Sequence, residues 1–238
     1  MPNPEYTILS LGAIGAVLST IPFGITALEY RHRDNGLSYI LLVSGTAVWN
    51  GMFAAQLLGP DLRVKEFFFS LALVGSLLTG LGWFLFASTA SRTSFVLDNR
   101  LVYGVIAVIS GIDITFVVTS PVHSVYWHLP EAMSRSDGFA VITPQIGYWL
   151  HIGFLASLFV AGTLLFAGAW ESQQGLPYTP AYTVAGFGIV IVLVGSAILV
   201  PGGLSLAPPL VVSLTAIGWL QAKQTRVLES VRAAFRPR

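Results

Sequence analysis

The chain has 238 residues, 54% of them apolar and only 10% charged, with twelve Lys and Arg against eleven Asp and Glu. A soluble domain carries about 25% charged residues, so this composition cannot solvate a globule. The apolar content excludes a disordered chain, the net charge of +1 argues against a nucleic-acid partner, and the absence of cysteine excludes disulfides, thiolate metal sites and a cysteine nucleophile. An integral membrane protein remains.

Roughly 20 mostly apolar residues are needed to cross a hydrocarbon core of about 30 Å. Seven segments meet that length or approach it: Thr7–Leu28, Leu37–Leu58, Phe67–Thr89, Leu101–Thr119, Ile146–Trp170, Ala181–Pro201 and Leu206–Gln221. They do not alternate apolar and polar residues as barrel strands do. The expected fold is all-α, an integral membrane bundle of seven transmembrane helices. The first segment is not a cleavable signal peptide, because Met1 to Tyr6 carries no basic residue. Pro22 should kink the first helix. Gly75, Gly80, Gly82, Gly186 and Gly188 suit close helix packing. Trp49 and Trp83 fall deep enough to belong to the core, whereas Trp127, Trp149 and Trp170 fall where interfacial anchors sit. The seventh segment is the shortest and carries Pro208-Pro209 near its start.

Basic residues set the orientation. Arg31, Arg33, Arg92, Arg100, Lys223, Arg226, Arg232, Arg236 and Arg238 fall on one side, against Arg63, Lys65 and Arg135 on the other. The positive-inside rule puts the N-terminus outside and the C-terminus in the cytoplasm. The 171–180 connection is cytoplasmic in this scheme yet has no basic residue.

Two domains follow: 1–221, the seven-helix membrane domain, and 222–238, a basic cytoplasmic tail. Most connections are short, so consecutive helices should be antiparallel neighbours. The 120–145 connection is the exception. A loop of that length is often functional or has its own fold. Its His123, Tyr126, Trp127, His128 and Phe139 suggest folding back over the bundle. From Trp219 onward the tail reads as an amphipathic helix, with Leu220, Val227, Leu228, Val231, Ala234 and Phe235 on one stripe. No internal repeat suggests a two-fold transporter.

Asp113 is the one acid deep within a span. An intramembrane charge is costly and usually faces the bundle interior or a water-filled cavity. At 1.5 Å per residue it sits about 9 Å below the outer end of the fourth helix, and His151 about 8 Å below the same interface on the fifth. The two can meet as a carboxylate–imidazole pair. Such a pair either fixes the fourth helix to the fifth or responds to a ligand or proton. His123, His128 and Glu131 lie just above it, but the spacing is not that of a helical zinc site, so no metal is expected. Gln56, Asn50 and Ser196 either line a shared outer cavity or bond helix to helix.

Seven helices raise the question of retinal. Its Schiff base needs a lysine near the middle of the last span. Lys65 lies at the mouth of the third helix and Lys223 beyond the end of the seventh, so neither serves and no cofactor is expected. No phosphate-binding glycine motif is present.

GPDLRVKEFF (59–68) and WFLFASTASR (83–92), with TSPVHSVYWHLP after the fourth helix and YWLHIGF opening the fifth, resemble one family over roughly residues 37–221. It is the seven-transmembrane sensor region found at the N-terminus of prokaryotic membrane histidine kinases. The most specific parts are the T-[SN]-P-x-H-x-x-x-W segment, Thr119 to Trp127, and the Trp149/His151 pair. The resemblance implies an external N-terminus and a last helix leading to a cytoplasmic signalling domain. Kinase activity is not implied for this chain, which carries neither an H-box nor an ATP-binding glycine motif. The chain reads either as a stand-alone sensor with a separate partner or as one that precedes an output domain.

A multi-pass receptor-like domain of the cell membrane is therefore expected, not an enzyme. Asp113, His123, Trp127, His151 and Gln56 are the expected ligand-binding residues, with 120–145 as a lid. The partners expected are the lipid bilayer, an unidentified small molecule, a cytoplasmic signalling protein and a second copy of the chain. The alternative is a small transporter or channel, which requires a continuous polar path across the bilayer. An intramembrane enzyme would need paired carboxylates or a metal set at one depth, and Asp113 is the lone buried acid.

Overall fold

The computed structural model describes residues 4–32, 35–91, 100–128, 142–171, 178–200 and 205–234. Among them are seven helices: α1 (Pro4–Glu29), α2 (Gly36–Leu58), α3 (Leu62–Ala90), α4 (Arg100–His123), α5 (Ile146–Glu171), α6 (Thr179–Leu199) and α7 (Ala207–Ala234). Six are long and apolar enough to cross a membrane, and the apolar part of α7, Ala207–Gln221, is shorter. The all-α membrane bundle expected from the sequence is present.

The helix ends differ from the hydropathy boundaries where polar residues still satisfy a helix. Asp61 caps α3 by accepting the Val64 N–H at 2.9 Å, so α3 starts five residues before the apolar run and carries Arg63, Lys65 and Glu66 in its first turns. α4 continues four residues past Thr119, through Pro121 to His123. Pro208 and Pro209 stand in the first turn of α7, where a missing N–H costs nothing. α7 runs unbroken from the membrane part into the tail as far as Ala234. α1 is likewise continuous through Pro22.

Cross-helix partners give the directions of the helices. Gly45 faces Thr79, Gly75 faces Trp49 and Gly82 faces Leu42, so α2 and α3 are antiparallel. A Cβ at Gly45 or Gly75 would lie 2.5 or 2.6 Å from the facing backbone nitrogen, and one at Gly82 would lie closer still, so the two helices touch main chain to main chain. Small residues permit such approaches in membranes. Ser76 meets His151 and Trp83 meets Phe159, a nearly constant offset that makes α3 and α5 parallel. Gly186 packs on Thr163 and Tyr182 on Phe166, so α5 and α6 are antiparallel. Gly188, by contrast, would have nothing within 4 Å of an added Cβ, so it makes no close helix contact.

α3 is the central element, packed against α2, α4 and α5, while α7 closes the bundle against α1, α2 and α6. Tyr39 O–H donates to the Thr215 carbonyl at 2.8 Å, and Asn50 Nδ2 donates to the Pro208 carbonyl at 2.9 Å, both tying α2 to α7. α4 is peripheral. Only Ser110, Asp113, Val117 and Ser120 on it are buried.

The middle of the bundle is filled with aromatic rings. Trp83, Phe159, Phe166 and Tyr182 are fully buried. Phe166 stacks on Tyr182 at 4.5 Å, Trp83 lies 5.0 Å from Phe166, and the Trp83 indole donates to the Phe159 carbonyl at 3.1 Å. Trp49 is core as well, and Trp149 and Trp170 are exposed as anchors should be. Trp127 is not an anchor: it is 2% exposed, because the start of the 120–145 connection turns inward.

Candidate functional site

The connection after α4 is held down by a short stem. Ser124, with φ of 51°, reverses the chain. Residues Trp127–His128 (β1) then pair antiparallel with Thr143–Pro144 (β2). The Gln145 N–H donates to the Tyr126 carbonyl at 2.9 Å, and the Gly147 N–H to the Val125 carbonyl at 3.0 Å. A side chain at Gly147 would put its Cβ 2.6 Å from the Tyr126 ring, so glycine lets that ring lie on the first turn of α5. The expected folding back is seen in Tyr126 and Trp127, both buried. Glu131, Arg135 and Phe139 lie outside the described residues.

Below this stem, Asp113 and His151 meet. His151 Nδ1 is 2.7 Å from Asp113 Oδ2, with His151 fully buried and Asp113 9% exposed. Equal depth on consecutive antiparallel helices thus becomes direct contact. Two further partners complete the group. The Tyr126 hydroxyl donates to Asp113 Oδ1, and His151 Nε2 lies 3.1 Å from Ser76 Oγ on α3. Burial first, then the bond to Asp113 and its charge, push Tyr126 ionisation far above the ordinary tyrosine value. Tyr126 therefore remains a donor throughout the physiological range.

The hydrogen positions are constrained by the partners. Ser76 Oγ donates to the Leu73 carbonyl at 2.7 Å and lies 3.1 Å from His151 Nε2, and a proton shared between His151 Nδ1 and Asp113 Oδ2 closes the chain.

Ser76, His151 and Asp113 have the connectivity of a hydrolytic triad, but the surroundings do not suit that chemistry. Ser76 borders an internal cavity of about 20 Å³, shared with Gln56, Trp49, Phe53 and Tyr148. That is room for about one water and no substrate. Ser76 lies in the interior of α3, whose backbone N–H groups are spent on helical bonds and supply no oxyanion site. The arrangement instead joins the stem, α4, α5 and α3 in one polar chain.

The other expected site residues fall at varying distances from this chain. Trp127 lies beside it: its ring meets Tyr126 at 6.0 Å and Phe69 at 5.0 Å, while its indole N–H donates to Glu66 Oε1 at 2.9 Å. Gln56 borders the small cavity with Ser76. His123 does not join: its Nδ1 accepts the Val125 N–H at 3.2 Å and its Nε2 lies 3.0 Å from Thr119 Oγ1, so it closes the end of α4. Asn50 and Ser196 act within and between helices, Asn50 toward Pro208 and Ser196 toward Leu193. His128 is exposed. Among the described residues no group of three or more His, Asp or Glu is placed to hold a metal.

Ser76, Tyr126 and Glu66 do not stand out in the sequence as site residues. Ser76 is one small polar residue among Ser70, Ser76, Thr79 and Ser88 on α3, all of which bond back to their own helix. Tyr126 is visible there only as one aromatic residue of the connection.

These features define a multi-pass helical membrane protein, packed with aromatic rings at its middle and carrying a buried polar chain toward one end. Over residues 13–223 it matches the family described as the N-terminal 7TM region of histidine kinase, and it belongs to that family. No curated protein matches it.

Proposed function

We propose that the chain is a sensory domain that detects an extracellular or membrane-borne cue at the 120–145 end. It passes the cue through α7 to a cytoplasmic signalling partner, a kinase in keeping with the family. The observation that carries this reading is the chain Tyr126–Asp113–His151–Ser76, which ties the external connection to the central helix. A change at the stem is thereby felt on α3, α4 and α5 together. From α3 it reaches α7 by way of α2, whose Tyr39 and Asn50 bond to Thr215 and Pro208. Small shifts of packed helices are an established way of moving such a signal. Trp219 and Lys223, with Nζ 3.9 Å from the ring centroid, stand where α7 becomes the basic tail. The tail either docks on the partner, forms a seam with a second copy, or lies on anionic lipid.

The aromatic filling of the bundle favours this reading over a transporter or channel. A polar path would have to pass Trp83, Phe159, Phe166 and Tyr182, which pack without exposure.

The proposal needs the stem outside and the tail inside. The chain has no cysteine, so single introduced thiols report cleanly. Thr143→Cys is expected to react with a membrane-impermeant maleimide in intact cells, and Gln224→Cys only after lysis. The reverse pattern would place the polar chain on the cytoplasmic side and remove the external cue.

A further inference from the structure

Between α4 and α5 runs a groove of about 380 Å³, within the size range of small-molecule sites. Ile112 and Phe116 form one wall, Leu150 and Phe154 the other, and Asp113 with Tyr126 lies at its floor. Ile112 is 54% exposed and Leu150 66%. Both stand on membrane-spanning helices, so the groove opens sideways toward the acyl chains.

We propose that this groove binds a single-chain amphiphile with a hydroxyl head, which enters from the bilayer and donates its hydrogen bond to Asp113. The proposal rests on the sensory reading above and deepens it by naming the chemistry of the ligand. Two observations select that chemistry. The walls are apolar and face lipid, which suits an alkyl chain. The carboxylate of Asp113 has about four acceptor positions, of which Tyr126 and His151 take two, so it can accept another donor. A third donor on Asp113 competes with His151 for the carboxylate. It therefore acts on the bond that leads to Ser76.

The test uses the full chain in phosphatidylcholine nanodiscs and a 1-dodecanol analogue carrying a diazirine on its chain. Photolabelling is expected to concentrate on residues 109–116 and 147–154. Unlabelled 1-dodecanol should compete, with dodecane at least roughly tenfold weaker, the effect of one good hydrogen bond. Ile112→Trp fills the groove from an exposed position without touching the polar chain, and it should abolish labelling. Asp113→Asn should weaken competition by dodecanol about tenfold through loss of the charge-assisted bond. Equal competition by dodecane would overturn the proposal. So would labelling spread over all lipid-facing helices, or labelling that survives Ile112→Trp. With a histidine-kinase core joined after Ala234, groove labelling without any change in autophosphorylation on adding 1-dodecanol would refute the sensory reading while leaving the site intact. Output that responds to dodecanol without groove labelling would refute the site alone.

Discussion

His151→Ala is expected to destabilise the bundle by about 2 kcal/mol, read as a lower midpoint of thermal unfolding in detergent. Two magnitudes bracket that figure. Breaking a buried ion pair in a soluble protein costs about 3–5 kcal/mol, because an unpaired charge is left behind. Polar pairs between membrane helices average only about 0.6 kcal/mol, because the unfolded state in the bilayer also finds partners. Here Asp113 keeps its Tyr126 donor, so the upper figure is not reached. Yet α4 has only four buried residues, and Asp113 is one of them, so few other contacts compensate. Asp113→Ala should cost a similar amount. The double variant should cost little more than either single one, since removing both partners leaves no orphan charge. Strict additivity of the two losses would show that the pair does not act as a unit.

The second large effect is steric. Gly82→Ala is expected to destabilise by roughly 1–3 kcal/mol, the range for overpacking a filled interior. Its Cβ would collide with the Leu42 nitrogen and Cα, and main chain cannot rotate away as a side chain can. Gly75→Ala, 2.6 Å from the Trp49 nitrogen, should behave likewise. Gly188→Ala is the internal control. Its position is open, so the change should be neutral or stabilising by up to about 1 kcal/mol from helix propensity. Equal unfolding midpoints for Gly82→Ala and Gly188→Ala would contradict the main-chain contact between α2 and α3.

These two sites show what a sequence discloses about such a bundle and where it stops. Hydropathy alone places the seven helices of the described residues, because crossing the bilayer imposes a length that few other constraints disturb. The ends are displaced where a local bond overrides hydropathy, as with the Asp61 cap on α3 and the prolines in the first turn of α7. Asp113 and His151 are legible as a pair because depth can be counted along a helix. Rotation about the helix axis cannot be counted with the same certainty. That is why Gly188 groups with Gly186 in the sequence although the two face different surroundings. It is also why His123, close to the pair in sequence, turns instead to Thr119 and Val125. Ser76 requires knowledge of which residue of α3 stands opposite His151, and that register belongs to the packing of parallel helices separated by 75 residues.

The family and the bundle are established, and the sensory role rests on the polar chain. Its most direct test is the output of a histidine-kinase core joined in helical register after Ala234, compared between the natural chain and Asp113→Asn. The substitution keeps size and an acceptor but removes the charge that holds His151. A perturbation of about 0.6 kcal/mol or more, the average for interhelical polar pairs, shifts a two-state equilibrium by about threefold or more. Autophosphorylation should therefore change by at least about threefold at a temperature where both proteins remain folded, while Gly188→Ala leaves it unaltered. Identical output from Asp113→Asn and the natural chain would contradict a signalling role for the Asp113–His151 pair.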